Sequence, residues 1–191
     1  MNKKRWMTAG IALLMLPVWL AGCAAPQVDF AKIQPPPRAA ELDHYKAFVG
    51  NWTWEAELVN ATDQYKKWTG TASWQWALDD RCLQGNISAQ SSDRKFTSMG
   101  LWTWNPQKKK YEWCMFNNWG YPQEGSATYD EATKTWRMPY ESIGLDGTAS
   151  RGVYTMKVVD ADTLEWTCHE WADHLHMVKK MEMKGTYKRG K

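Results

Sequence analysis

The chain has 191 residues, with 24 basic and 21 acidic side chains and a formal charge of +3. Lys3, Lys4 and Arg5 are the only charged groups in the first 22 residues, and without them 21 basic side chains face 21 acidic ones, which leaves no overall excess of the kind nucleic-acid binding draws on. Fourteen tryptophans and an aromatic content of 14% exclude a disordered chain and require a folded core.

At the N-terminus the basic residues precede an apolar run at 9–20 (AGIALLMLPVWL), followed by Leu20-Ala21-Gly22-Cys23. A basic start before a short apolar stretch reads as a secretory signal, too short for a comfortable permanent span. The Leu-Ala-Gly-Cys ending resembles the bacterial lipoprotein processing box. That resemblance implies a signal peptide over residues 1–22 and acylation of Cys23 as the first mature residue. Two or three acyl chains on one residue anchor a protein stably where a single chain does not. It also implies a place in the bacterial cell envelope, and Ala24, with no Asp after the cysteine, implies the outer membrane, facing the periplasm. The plainer alternative is an ordinary signal peptide with an incidental cysteine. Residues 23–40, with Pro26 and Pro35-Pro36-Pro37, read as an extended tether.

The folded domain is expected over residues 41–191. Residues 39–48 (AAELDHYKAF) put Leu42, Tyr45 and Phe48 on one face and predict a short N-terminal helix. Trp52, Trp54, Ala56 and Leu58 then alternate with Thr53, Glu55 and Glu57. Trp68, Gly70, Ala72, Trp74, Trp76 and Leu78 form a second alternating set. Period two over such lengths predicts strands. Further strands are expected at 82–90, 95–104, 111–119, 125–129, 135–141, 149–159, 163–171 and 177–188, with turn-forming residues between them. About ten strands with little helix predict an all-β fold, an up-and-down antiparallel β-barrel, because closure removes exposed edges.

Beyond Cys23 the cysteines are Cys82, Cys114 and Cys168, an odd number in an oxidising compartment. At most one intramolecular disulfide forms among them, and the spacing leaves the pairing open. Cys168 precedes His169, but neighbours on a strand point to opposite faces, so a small buried side chain is expected rather than a nucleophile.

Phe48-Val49-Gly50-Asn51-Trp52-Thr53-Trp54 lies where the short helix meets the first strand. It resembles the G-x-W opening of lipocalin-like barrels, which implies that the glycine permits the entry turn and the tryptophan closes the base. Further landmarks are Trp68-Thr69-Gly70, Asp80-Arg81, Gly100-Leu101-Trp102-Thr103-Trp104-Asn105, Tyr111-Glu112-Trp113 and Gly185-Thr186-Tyr187-Lys188. Together they resemble an uncharacterised bacterial family with a calycin-type barrel, related in shape to small haem-binding barrels of the nitrobindin kind. The resemblance covers about residues 41–189 and implies a fold but no activity. The chain departs from it at Leu78-Asp79-Asp80-Arg81, where relatives keep a glycine-rich turn.

Twelve tryptophans remain beyond the signal, and a barrel of this size either fills with side chains or encloses a small ligand. Trp54, Trp74, Trp76, Trp102, Trp104, Trp113 and Trp166 are the expected lining of an apolar cup; solid packing is the alternative. Asn117 and Trp119, with Asn118 and Tyr121, read as a rim loop that orients a ligand, or as a simple hairpin turn. His169, Glu170, His174 and His176 are a titratable cluster: acid/base groups for a hydrolase or isomerase, an axial haem ligand at His169, a metal pair at 174/176, or solvated side chains. The expectation is a lipid-anchored envelope protein whose barrel binds a small apolar or amphipathic molecule, with no metal or required cofactor. An enzyme using His169 and Glu170, or a carbohydrate-contacting module with exposed rings, are the alternatives. No G-x-S-x-G, P-loop, H-E-x-x-H or dinucleotide motif is present.

Overall fold

In the computed structural model, which describes residues 28–143, 147–172, 175 and 177–190, ten antiparallel strands follow one another around a closed ring. They are β1 (Gly50–Leu58), β2 (Lys67–Ala77), β3 (Cys82–Ser91), β4 (Arg94–Asn105), β5 (Lys110–Asn117), β6 (Gln123–Asp130), β7 (Thr135–Ile143), β8 (Ala149–Asp160), β9 (Thr163–Trp171) and β10 (Lys179–Arg189). Each strand pairs with its successor, and β10 returns to β1 over Trp52–Leu58. All ten predicted strands are present, with ends moved by a few residues. The segment at 60–64, expected to be pure loop, leads into one helical turn, α1 (Asp63–Lys66).

Contacts divide the chain into Met1–Pro36 and Pro37–Lys191. The described part of the first unit is extended except for a 3₁₀ turn, Phe30–Lys32, where the Asp29 carboxylate accepts from the Ala31 N–H. The expected signal peptide and Cys23 lie outside the described residues. The second unit contains the whole barrel and its core.

The predicted helix at 39–48 is a 3₁₀ segment, Ala40–Ala47. Its buried residues explain the choice: Leu42, Tyr45 and Phe48 recur every three positions, and three residues per turn line them up on one face. That face plugs one end of the barrel. Tyr45 stacks on Trp136 at 4.4 Å between centroids and 8° between planes, and Trp136 is wholly buried. Gly50 enters β1 at φ +131°, a conformation few other residues adopt. A Cβ there would also lie 2.6 Å from Nη1 of Arg189. That guanidinium lies 4.2 Å from the Trp52 ring centroid and donates to the carbonyls of Val49 (2.6 Å) and Ala47 (3.1 Å). Trp52 in turn donates to the Phe48 carbonyl at 2.7 Å. The G-x-W opening thus closes the base, as the lipocalin-like pattern implies.

Inward positions alternate along every strand, and five of them pair glycine directly with an aromatic residue on the next strand. The pairs are Trp54 with Gly70, Trp74 with Gly85, Trp113 with Gly125, Tyr140 with Gly152 and Trp166 with Gly185. In each, the ring lies over the space a Cβ would occupy. At Gly70 that Cβ would be 2.8 Å from the indole nitrogen of Trp54, and at Gly185 it would be 2.7 Å from that of Trp166. The rings therefore lie along the wall rather than across the barrel. Gly185→Ala drives a methyl group into Trp166 and against the Glu55 carbonyl. It is expected to cost about 1–3 kcal/mol, seen as a lower urea midpoint at unchanged m-value.

Candidate ligand-binding site

Because the aromatic rings lie along the wall, the barrel keeps a cavity of about 940 Å³. That is near the upper end of the range for small-molecule sites. Its floor is the plug, with Tyr45, Phe48 and Trp136, and it reaches the mouth loops at Asn60, Tyr65, Trp119 and Tyr121. Along β1 to β4 the wall is apolar, carrying Trp54, Trp74, Leu83, Ile87, Phe96 and Trp102. Methionines 115, 138, 156, 181 and 183 supply a deformable lining over much of the remainder. The indole nitrogens of Trp54, Trp113 and Trp166 are buried with no acceptor, and each sits at a glycine of the wall. The lumen therefore meets carbon more than N–H donors.

From β6 to β9 the wall also carries polar groups among Trp136, Met138, Met156 and Trp166. The Tyr140 hydroxyl donates to Oε2 of Glu170 at 3.0 Å and lies 3.4 Å from the Cys168 sulfur. The Tyr154 hydroxyl donates to Oε1 of Gln123 at 3.1 Å. Tyr140 and Tyr154 stack at 4.9 Å between centroids, and Trp113 meets both edge-on at about 6 Å. Burial pushes the Cys168 thiol up to about 12, with the Glu170 charge adding to it. Burial likewise holds Tyr140 and Tyr154 far above the usual phenol range.

Of the residues anticipated as lining, Trp54, Trp74, Trp102, Trp113, Asn117, Trp119 and Trp166 do face this cavity. Trp76 and Trp104 do not. Both lie at the plugged end of their strands, Trp76 beneath the Arg38 guanidinium at 4.7 Å and Trp104 edge-on to Tyr111 at 4.8 Å. Asn117 is at the lumen, but its amide holds the rim loop: it donates to the Tyr121 carbonyl at 2.7 Å and accepts from the Trp119 N–H at 3.0 Å. Asn118 ties the same loop to β4 through Thr97 and Lys95. The hairpin-turn reading therefore accounts for both asparagines. Trp119 stays 37% exposed, edge-on to Phe96 and Trp68.

His169 is on the outer face. Alternation along β9 sends Trp166, Cys168 and Glu170 inward and His169 outward, beside Trp171 and opposite Glu182 on β10. The His169/Glu170 acid–base pair therefore does not converge, and His169 cannot serve as an axial ligand to a haem in the lumen. His174 and His176 lie outside the described residues, among which no group of three or more His, Cys, Asp or Glu side chains could hold a metal. Cys82, Cys114 and Cys168 are all free thiols. Trp119 is the sole tryptophan among the described residues that is classed as exposed, so no row of exposed rings forms a flat sugar platform. The residues missed from sequence are Gln123, Tyr140 and Tyr154. Their inward parity was legible, but their convergence with Glu170 depends on the register across four strands.

A closed meander of ten strands, plugged at one end around a G-x-W turn and hollow within, has the architecture of an up-and-down β-barrel. The chain belongs to the family described as proteins of unknown function (DUF1579), whose model matches residues 39–189. No curated protein matches its sequence. Rv2717c from M. tuberculosis has a similar structure, with a TM-score of 0.57 at 12% identity over 81% of this chain and 99% of that one. The S-type phycobiliprotein lyase CPES from Guillardia theta matches with a TM-score of 0.47 at 8% identity, over 81% of this chain and 94% of its own. A barrel bound to the fluorogen DFHBI matches at 0.44 and 9% identity, over 78% of this chain and 98% of its own.

The buried thiol gives a pH prediction. Cys168 has an ordinary value of 9.0 when unfolded and is held protonated to about 12 when folded. Below pH 9 it is neutral in both states and its contribution is intact. Between the two values unfolding releases its proton, so stability falls as pH rises. By a pH of about 10.5 the loss from this group alone is about 2 kcal/mol. Urea midpoints across the alkaline range check it, alongside a thiol reagent that labels Cys168 only in denaturant.

Proposed function

We propose that the protein is a lipid-anchored component of the bacterial cell envelope that binds a small apolar or amphipathic molecule inside its barrel. The observation that carries this reading is the cavity of about 940 Å³ enclosed by tryptophan and methionine side chains. A domain selected only for stability gains nothing from such a void, since each missing contact forfeits dispersion and transfer energy. An apolar guest restores both. The anchoring half rests on Leu20-Ala21-Gly22-Cys23 behind the basic apolar leader. The tether residues 23–40 then give the domain reach from the outer membrane into the periplasm.

The binding half is tested with the chain from Pro37 onward, which holds every strand and the plug. Fatty alcohols, fatty acids, haem and polycyclic aromatic compounds are titrated while tryptophan fluorescence is followed. At least one class gives a saturable change, because Trp54, Trp74, Trp102, Trp113 and Trp166 line the lumen. Ile87→Trp, which adds bulk on the lumen side of β3, weakens that ligand by roughly tenfold or more. Saturation by none of the four classes would end the reading. The anchoring half is tested separately in a bacterial host, where Cys23→Ser is expected to abolish incorporation of a labelled fatty acid and release the protein from the membrane.

A further inference from the structure

The polar groups of the lumen wall have a definite hydrogen-bonding sense. Both phenol protons are committed to the wall, that of Tyr140 to Glu170 and that of Tyr154 to Gln123. With the Tyr140 proton on Glu170, the 3.4 Å contact makes the Cys168 S–H a donor to the Tyr140 oxygen. What the wall offers a guest is the Glu170 carboxylate and the lone pairs of the Tyr154 phenol, beside the Trp113 ring; Tyr140 does not line the cavity and bonds Glu170 from within the wall. The Gln123 amide N–H₂ is the one donor group among these.

We propose that the lumen selects amphiphiles with a cationic or multiply N–H-donating end, such as a primary ammonium, held at Glu170 against Tyr154 and Trp113. This rests on the reading of the barrel as an apolar-ligand site and names its ligand class. The hydrocarbon part of the guest lies on the tryptophan wall of β1 to β4. A carboxylate with aromatic faces around it is the chemistry that recognises organic cations, through a charge-assisted hydrogen bond and cation–π attraction together. Glu170 makes no ion pair with another described residue, so its charge is available to a guest. The other charged groups lining the cavity are Arg94 and Lys180, the latter next to Met181, the β10 partner of Glu170. Arg94 sits over the Tyr65 ring and beside Asp93, and the Lys180 ammonium donates to Thr148. Beyond the signal the chain carries equal numbers of acidic and basic groups, so no net charge favours a cation for trivial reasons.

The test compares dodecylamine, dodecanol and dodecanoic acid, each below its micellar concentration, by calorimetry at neutral pH on the chain from Pro37 onward. The amine is expected to bind about tenfold or more tighter than the alcohol, the value of one charge-assisted hydrogen bond. Glu170→Gln keeps the size of the side chain and an acceptor for Tyr140, and it reduces the amine-to-alcohol ratio to near one. Glu165→Gln, on the outer face of the same strand, leaves the ratio where it was. Acid binding as tightly as amine, or a ratio indifferent to Glu170→Gln, overturns the proposal. Alcohol binding with no preference for amine refutes the charge selectivity alone. Failure of all three probes, together with the haem and aromatic compounds above, refutes the apolar site itself and this inference with it. The wild-type ranking of the three probes decides the matter even where the variant does not fold.

Discussion

Glycine opposite an aromatic ring, repeated at five places around the barrel, is the constraint from which the rest of this structure follows. An indole that stood upright on an inward position would cross the axis and meet its counterpart from the far wall. Laid over a neighbouring glycine it occupies the space a Cβ would fill, and the axis stays open. The pairing also protects the glycine: the ring covers backbone that would otherwise be exposed to solvent in the lumen and restores packing that the missing side chain forfeits. The arrangement resists single changes on either side, since a methyl group on the glycine displaces the ring and a smaller ring uncovers the strand. Tryptophan abundance and cavity are therefore one feature.

The two ends of the barrel are built on different principles. At the base, the 3₁₀ segment ends with carbonyls that have no partner of their own, and the Arg189 guanidinium accepts that role while its face covers Trp52. Cation–π contact of this kind contributes about 0.5–2 kcal/mol, and a hydrogen bond to a charged donor about 1.5–3. Arg189 joins the last strand to the first turn, so it also fastens the seam where the barrel closes. At the mouth four of the five connections are longer, at 59–66, 118–122, 144–148 and 172–178, and that at 118–122 is held by the side-chain amides of Asn117 and Asn118.

How much of this was legible in the sequence divides along physical lines. Period-two alternation located all ten strands, because each has one face in a core and one in water. The three-residue spacing of Leu42, Tyr45 and Phe48 located the plug, although as a helix and not as the tighter 3₁₀ form. Gly50 and Trp52 announced the base of the barrel. What one strand cannot show is which residue lies opposite on the next. Trp166 facing Gly185, or Glu170 within reach of Tyr140, depends on turn lengths and on register accumulated over several hairpins. Parity also bore on one open question: His169 and Glu170 are neighbours on a strand and face opposite sides of the wall. Trp76 and Trp104 had the right parity and the wrong height, a coordinate that alternation leaves undefined.

Glu170 completes the argument about what the lumen is for. Strand β9 is already paired along its length with β8 and β10, so the carboxylate adds nothing to closure. Among the described residues it accepts a hydrogen bond from Tyr140 and makes no ion pair. A leucine or methionine in its place would extend the apolar lining at lower desolvation cost, the usual outcome when a partly buried charge is exchanged for a hydrocarbon of similar size. The Tyr154 phenol at the cavity has its proton committed to Gln123 of the wall. Stability does not call for that orientation. In the proposed reading a guest that brings its own protons and positive charge does, with the tryptophan wall taking the remainder of its surface.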